Sequence, residues 1–387
     1  MNQSGITRRR LLGAAAGFAA YGAGAWAQTA ASAPRFRYAR PIIDAHTHLR
    51  VDLLDDIVKV MDAFHIEKAV TLSMPIPWAD WTTEEGAMAL AKHLQPERII
   101  FFSTVDVKNA DQPNFGESEA ARVQECVKNG AQGLKMYFSP KGHPFSWFNV
   151  GLSINDTRME AIYHVCGELD IPLLVHLGSE ESTIEQLMDA AGKCPKTNFI
   201  AAHAMGHGRQ HDFLTARLKE HPNLYLDTVA VFARAGQQEE IDSARRFFIN
   251  HAERIVFGTD PVMSIFRPGM IEKWQDLKIP QDRNALEGES RGGLNLPDAV
   301  LDKVYSKNIE RLLGAQNPLN FAYFKPALER QVHALEDYLL HPMPELFERG
   351  ESAGPRAAQV AMVPTEIEHF LAFAKEWLVN RTEEPVP

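Results

Sequence analysis

The sequence contains little cysteine. Only three of its 387 residues are cysteines, at positions 126, 166 and 194. Three cysteines so far apart are too few for a disulfide framework, and their spacing is not that of a cysteine zinc site. We therefore expect all three to pack as small apolar side chains.

Clustered positive charge is absent from the body of the chain, and the formal net charge is −10 at pH 7. Nucleic-acid binding needs clustered Lys and Arg to contact phosphates, so no nucleic-acid partner is expected. The chain also lacks a P-loop and the Gly-x-Ser-x-Gly turn of a serine nucleophile. Hydrophobic residues make up 45% and charged residues 23%, as in folded globular proteins.

The one basic cluster lies near the N-terminus. Residues 8–10 are all arginine, and they precede an uncharged, Ala- and Gly-rich stretch at 11–34. This is the layout of an export signal, with residues 25–27 (Ala-Trp-Ala) fitting a cleavage site. Residues 7–12 resemble a twin-arginine signal. We expect export by the twin-arginine machinery to the periplasm or beyond, without stable membrane insertion after cleavage; an uncleaved N-terminal anchor is the alternative.

Short apolar runs alternate with longer amphipathic segments along the mature chain, which is typical of parallel strands joined by helices. Eight such units favour a (β/α)8 TIM barrel. An open doubly wound sheet would carry a Gly-rich turn after its first strand, and residues 44–48 (Asp-Ala-His-Thr-His) form no such turn. The predicted strands lie at residues 41–46, 67–74, 98–107, 131–138, 171–177, 198–204, 223–228 and 254–260.

The pattern divides the chain into an export signal and N-terminal segment at 1–33, the barrel at 34–314, and a helical C-terminal extension at 315–387. The extension wraps the barrel or makes a homo-oligomer contact. Long loops are predicted at 75–83, 139–156 and 261–295. Their aromatic rings either form a lid over the barrel mouth or only anchor their own loops. These rings are Trp78, Trp81, Phe145, Trp147, Phe148 and Phe266.

Polar residues fall at the ends of the predicted strands, where barrel enzymes carry their reacting groups. His46 and His48 are two positions apart, so both side chains leave one face of the first strand. His176, His203 and Asp260 follow the fifth, sixth and eighth strands. A lone histidine there is usually structural, but the set together predicts a site for a divalent ion such as zinc.

These residues resemble the amidohydrolase superfamily, and most closely its amidohydrolase-2 branch of hydrolases and non-oxidative decarboxylases. The resemblance covers roughly residues 41–314. It rests on Asp44-Ala45-His46-Thr47-His48, Gly133-Leu134-Lys135, Val175-His176, Ala202-His203 and Gly258-Thr259-Asp260, with Tyr305, Asn308, Arg311, Leu312, Leu313 and Gly314 at its end.

The resemblance implies a role for each strand-end residue. His46, His48 and His176 would be metal ligands, and Asp260 would be both a ligand and the general base. His203 would bind a second ion or act on the substrate.

Lys135 is open to two interpretations. Binuclear relatives carry a carboxylated lysine that bridges two ions at this position, whereas in a mononuclear site the unmodified lysine would hold a substrate carboxylate or pack its stem on the barrel wall. One or two divalent ions, with zinc the expected metal, are therefore both compatible with the sequence.

The resemblance predicts a metal-dependent hydrolase that uses activated water on an amide, ester or lactone of a small organic molecule. The same ligand set also serves metal-dependent decarboxylases of aromatic acids, which is the alternative. A third hypothesis is a metal-binding barrel without turnover.

Overall fold

The computed structural model describes residues 36–73, 82–139, 146–264, 266–288, 293–314, 316–342 and 363–380. The predicted export signal lies outside the described residues, as do Trp78, Trp81 and Phe145. The chain divides between Arg37 and Tyr38, and all elements named below belong to the unit that begins at Tyr38.

Eight parallel strands follow one another around a single sheet, each hydrogen-bonded to the next in sequence. Each strand lies within one run predicted from the sequence or overlaps it, so the (β/α)8 prediction is confirmed. Every strand except the first is shorter than predicted, and the early ends of the sixth and eighth strands leave His203 and Asp260 beyond them. The strands are β1 Ile42–Thr47, β2 Ile66–Leu72, β3 Ile99–Thr104, β4 Leu134–Phe138, β5 Leu173–Leu177, β6 Phe199–Ala201, β7 Leu224–Asp227 and β8 Ile255–Val256.

Two backbone hydrogen bonds join β1 to the segment that follows β8. The Ala45 N–H donates to the Phe257 carbonyl and the Asp260 N–H donates to the His46 carbonyl, both at 2.8 Å. Apolar side chains from seven strands, among them Phe102 and Leu174, form one buried cluster. Because strands all around a barrel can meet only inside it, this cluster is the barrel interior. A second large cluster of described residues packs the outer strand faces against the helices.

Helices cover the barrel between successive strands. The segment at 261–295, predicted as a loop, instead contains two helices and a π-helical stretch, Trp274–Lys278. Buried Ile271, Trp274 and Ile279 give this segment an inward apolar face. Their spacing is that of a helix, but the sequence prediction did not recognise it. The helices of the barrel are α1 Leu54–Ala63, α2 Glu84–Leu94, α3 Phe115–Lys128, α4 Thr157–Glu168, α5 Glu181–Lys193, α6 His211–Glu220, α7 Gln238–Asn250, α8 Met270–Lys273, α9 Ile279–Glu287, α10 Asp298–Asp302 and α11 Asn308–Leu312.

Two further helices, α12 Phe321–Leu340 and α13 Pro364–Asn380, form the described part of the C-terminal extension. Helix α12 packs against α2, and α13 packs against α12 and the 3-10 turn Val51–Leu53. None of the described helices is both long and apolar enough to span a bilayer. The domain boundaries and the oligomer contact stay predictions.

All three cysteines are buried and none forms a disulfide. Cys126 and Cys166 lie in α3 and α4, and Cys194 follows α5 directly. Their expected role as small packed side chains is therefore confirmed.

Candidate metal centre

His46, His48 and Asp260 meet at the carboxyl end of the barrel. The register of β1 against β2 shifts between Asp44 and Thr47, as at a β-bulge. The Nε2 atoms of His46 and His48 each lie 3.5 Å from Oδ1 of Asp260. Two nitrogens bound to one tetrahedral zinc at about 2.0–2.1 Å would lie about 3.3 Å from a neighbouring ligand atom. The observed spacing therefore fits a shared ion.

His203 reaches the same centre from the segment after β6. Its Nε2 lies 3.8 Å from Oδ2 of Asp260, and His203, His46 and Asp260 form one group able to hold a metal ion. His203, Ala204 and Met205 all have left-handed backbones, with φ of 56°, 46° and 57°. Such a conformation costs non-glycine residues about 1 kcal/mol or more each, so surrounding contacts must hold this turn.

His176 lies beside His203 rather than beside Asp260. Its Nδ1 is 3.1 Å from Nε2 of His203, and its ring stacks on Tyr137 with centroids 4.4 Å apart. Tyr137 of β4 and His176 of β5 are direct register partners, which explains the stacking. His176 therefore lies at the edge of the centre, in contact with His203, which in turn lies beside the Asp260 carboxylate.

Lys135 enters the centre from β4 and is 1% exposed. Its Nζ has no hydrogen-bond partner among the described residues. Burial lowers its pKa to about 8, although the charges of Asp260 and Asp227 oppose this shift. An unpartnered buried amine is costly, so its presence points to a group that binds it. Both interpretations of Lys135 fit this position.

Asp227, the last residue of β7, is a functional candidate that the sequence reasoning missed. It is fully buried, and its Oδ2 lies 2.6 Å from Nδ1 of His46. Its Oδ1 accepts the backbone N–H groups of His203 at 2.7 Å and Val229 at 3.2 Å. Asp227 therefore aims His46 and supports the strained turn at His203. The signal was available, since Asp227 lies near the end of a predicted strand.

His48, the residue directly after β1, is aimed by a backbone group. Nδ1 of His48 lies 2.8 Å from the Leu72 carbonyl at the end of β2 and can donate to it. A proton on Nδ1 leaves the Nε2 lone pair of His48 free to face Asp260, as a metal ligand requires.

The segment before Asp260 is fixed to β1 by hydrogen bonds between buried groups. Asp44 accepts hydrogen bonds from the Thr259 backbone at 3.1 Å and the Thr259 hydroxyl at 2.5 Å. The Trp274 indole donates to the same hydroxyl at 2.8 Å. A Cβ added to Gly258 would lie 2.7 Å from Cβ of His46, so only glycine leaves room for this histidine.

The electrostatics of the centre suit a metal site. Burial lowers the pKa of His46 well below 6.5 and that of His48 to about 4. Burial alone would raise the pKa of Asp260, but the nearby His46, His48, His203 and Lys135 outweigh it and lower that pKa. Neutral imidazoles beside an ionised carboxylate are the protonation states that metal binding needs.

The aromatic rings of the described loops are anchors. Trp147 is fully buried and packs edge-on against Phe138, with centroids 5.2 Å apart. Phe148 packs on the same ring, and Phe266 is 1% exposed. These three rings therefore support the anchoring interpretation.

Residues 107–315, more than half of the chain, match the model of the amidohydrolase family Amidohydro_2. The match includes Lys135, His176, His203 and Asp260, whereas His46 and His48 precede it. A search of curated proteins found no match.

Solved structures with a similar fold include three with assigned activities or metals. A 2,6-dihydroxybenzoate decarboxylase is 14% identical over 71% of this chain and 99% of its own, with a TM-score of 0.45. An amidohydrolase from Burkholderia multivorans with bound zinc is 13% identical over 70% and 99%, with a TM-score of 0.44. A 5-carboxyvanillate decarboxylase from Novosphingobium aromaticivorans with bound manganese is 12% identical over 71% and 96%, with a TM-score of 0.40. On the family match, the chain belongs to the amidohydrolase family.

Proposed function

We propose that the protein is a metal-dependent hydrolase that cleaves an amide, ester or lactone of a small organic molecule. The observation that carries this proposal is the convergence of two histidine Nε2 atoms on one carboxylate oxygen, each at 3.5 Å. Both histidines are almost fully buried, and each has its Nδ1 atom engaged elsewhere. Paired buried histidines prepared in this way are typical of metal ligands.

His46, His48 and Asp260 would hold a divalent ion, for which zinc is the expected identity. His203 would join them or bind a second ion with His176. The ion would supply a Lewis acid for the scissile carbonyl and lower the pKa of a water molecule.

The chain's own groups would move the protons. Asp260 is ionised and can accept a proton from the attacking water while the water oxygen bonds to the carbonyl carbon. The C–N or C–O bond then breaks, and the leaving atom takes up the proton. The side chain of His203 is 25% exposed, whereas that of His46 is 1% exposed, so His203 is better placed to reach the substrate.

Lys135 favours a second candidate, the decarboxylation of an aromatic acid. Its buried, unpartnered amine offers a cation to a substrate carboxylate. In that reaction the bond between ring carbon and carboxylate breaks, carbon dioxide leaves, and the ring carbon takes up a proton that comes from water and is passed on by Asp260 or His203. Carbon dioxide among the products would identify the lyase, whereas a new carboxylic acid from an amide, ester or lactone would identify the hydrolase.

Elemental analysis of the mature protein, followed by turnover of a panel of lactones, amides and aromatic acids, tests the proposal. We expect one or two equivalents of zinc per chain. Asp260→Asn should lower kcat/KM by about 10²–10⁴ on the best substrate. Asp298→Asn, which changes an exposed aspartate of α10, is the control and should leave kcat/KM unchanged. Bound zinc without turnover that depends on Asp260 would instead support the non-catalytic barrel.

We also infer export by the twin-arginine route from residues 7–12, with the folded enzyme working in the periplasm or outside the cell. Replacing the arginines at 8 and 9 by lysine should retain the precursor in the cytoplasm, as cell fractionation would show. Unchanged export of that variant would exclude this route.

A further inference from the structure

A buried guanidinium joins the loop after β1 to the last helix. Arg50, two residues after His48, is 3% exposed. It donates to both carboxylate oxygens of Asp52, at 3.1 and 2.6 Å. It also donates to the carboxylate of Glu366 and, at 3.1 Å, to the Glu366 carbonyl. His369, one turn further along α13, places Nδ1 2.6 Å from Asp52. These four residues are called the Arg50 clasp.

Helix α13 also holds the loop after β8. The Val363 N–H, just before the helix, donates to the Phe266 carbonyl at 3.2 Å. The Phe370 ring packs edge-on against Phe266, with centroids 5.4 Å apart. The guanidinium carbon of Arg50 lies 5.1 Å from the centre of the Phe266 ring. One helix therefore contacts both loops.

These two loops carry His48 and Asp260, and they are bonded to each other. The His48 N–H donates to the Pro261 carbonyl at 3.0 Å, and the Met263 N–H donates to the His48 carbonyl at 2.8 Å. Asp260 and Phe266 have left-handed backbones, with φ of 51° and 54°. Strained residues keep such conformations only where several contacts hold them. The clasp and the Phe266 contacts supply such restraints at the far end of the loop.

We propose that α13 is a positioning element of the metal centre, acting through Glu366 on Arg50 to hold the His48 and Asp260 loops in register. The inference rests on the proposed metal site. It adds that the metal affinity of the barrel depends on a helix more than 100 residues beyond the last proposed ligand, Asp260.

Chemistry and geometry single out Glu366 within the helix. Its carboxylate neutralises a guanidinium that is buried beside a metal ligand, and its carbonyl accepts a second bond from the same group. Removing the Glu366 charge leaves Arg50 paired with Asp52 alone and cuts its ionic contact with α13, which weakens the link between this helix and the loop after β1. The same guanidinium lies 5.1 Å from the centre of the Phe266 ring, so any movement of Arg50 would disturb both loops.

The test compares Glu366→Gln, which keeps the side-chain size and removes the charge, with Glu368→Gln. Glu368 lies on the same helix and is exposed, so it is the matched control. The full mature protein is freed of metal and titrated with Zn²⁺ alone against a chromogenic chelator, well below its unfolding temperature. Loss of groups that orient metal ligands commonly weakens binding about 10- to 100-fold. We expect a loss of about tenfold or more for Glu366→Gln and none for Glu368→Gln.

The outcomes separate the two proposals. A wild-type protein that does not bind Zn²⁺ would refute the metal site itself. A wild-type protein that binds Zn²⁺ while folded Glu366→Gln binds it equally well would overturn only the positioning role, even if the variant melted earlier. Should Glu366→Gln fail to fold, His369→Gln changes the exposed edge of the clasp. We expect a smaller loss of Zn²⁺ affinity there, and an unchanged affinity would likewise overturn the inference.

Discussion

Replacing Asp227 by asparagine should move the ring proton of His46 from Nδ1 to Nε2. The two oxygens of this carboxylate have different partners: Oδ1 accepts two backbone N–H groups, and Oδ2 faces Nδ1 of His46 at 2.6 Å. In the Asp227→Asn variant the amide oxygen must face the two N–H groups, because an NH₂ group there would meet only donors. The amide NH₂ would then face Nδ1 and require it to accept.

The consequence is a change of tautomer. An accepting Nδ1 leaves the ring proton on Nε2, the atom that lies 3.5 Å from Asp260. A protonated Nε2 has no lone pair for a metal ion. We expect zinc affinity to fall about 10- to 100-fold, which corresponds to about 1.4–2.7 kcal/mol. A wrong tautomer in the histidine of a catalytic triad lowers kcat by about 10⁴, so turnover should fall further than affinity.

Two measurements check this prediction. Zn²⁺ titration of metal-free wild type, Asp227→Asn and the surface control Asp298→Asn gives the affinities. Nitrogen-15 NMR of labelled histidine reports which ring nitrogen of His46 carries the proton. Equal zinc affinities, or a His46 that keeps its proton on Nδ1 in the variant, would refute the role assigned to Asp227.

Three further predictions follow from single positions. Gly258→Ala should destabilise the protein by about 1–3 kcal/mol and weaken zinc binding, because the new Cβ would lie 2.7 Å from Cβ of His46; thermal melts and Zn²⁺ titration check both. Lys135→Met should raise the Tm of the metal-free protein, by removing an unpartnered buried amine, while kcat/KM falls at least 10²-fold; an unchanged Tm would contradict the first part. The hydrogen bond to Asp52 raises the pKa of His369 above 6.5. The His369–Asp52 pair therefore stabilises the fold fully below pH 6.5, and this stabilisation is lost as the pH rises through the pKa of His369 in the folded protein. The Tm difference between wild type and His369→Gln should therefore shrink as pH rises above 6.5, and a constant difference would argue against this pairing.

The sequence predicted the barrel well because the strands are apolar runs separated by amphipathic segments. It did worse at strand ends and after β8. The run at 254–260 reads as one strand, yet only Ile255 and Val256 are strand. Beyond them the chain bonds to β1 and Thr259 binds Asp44, which are tertiary contacts that no local pattern encodes. The helical segment after Asp260 was missed for a related reason, since three short helical pieces lack one continuous period.

The sequence predicted the candidate ligands of the site but not the residues that support those ligands. Histidines at strand ends are conspicuous, so the sequence singled out His46, His48 and His203 as candidates. Asp227 was overlooked because a lone aspartate after an apolar run is common and its role depends on a neighbour 181 positions away. Arg50 and Glu366 are 316 positions apart, and charged residues at such separations carry no pairing signal in one sequence.

Backbone strain at two proposed ligands explains why the centre needs partners beyond those ligands. Two proposed ligands, His203 and Asp260, have left-handed backbones at the ends of very short strands, where few ladder bonds hold them. The Asp227 carboxylate holds His203 by accepting the His203 backbone N–H. Asp260 is held by Asp44, by the His46 carbonyl and by the loop that reaches α13. The strain is offset by buried charged groups, so substitutions at Asp227 or Glu366 should impair metal binding more than their contribution to global stability suggests. Variants of these residues with near-normal Tm and weakened Zn²⁺ affinity are the expected result, and variants that lose both in proportion would place the strain elsewhere.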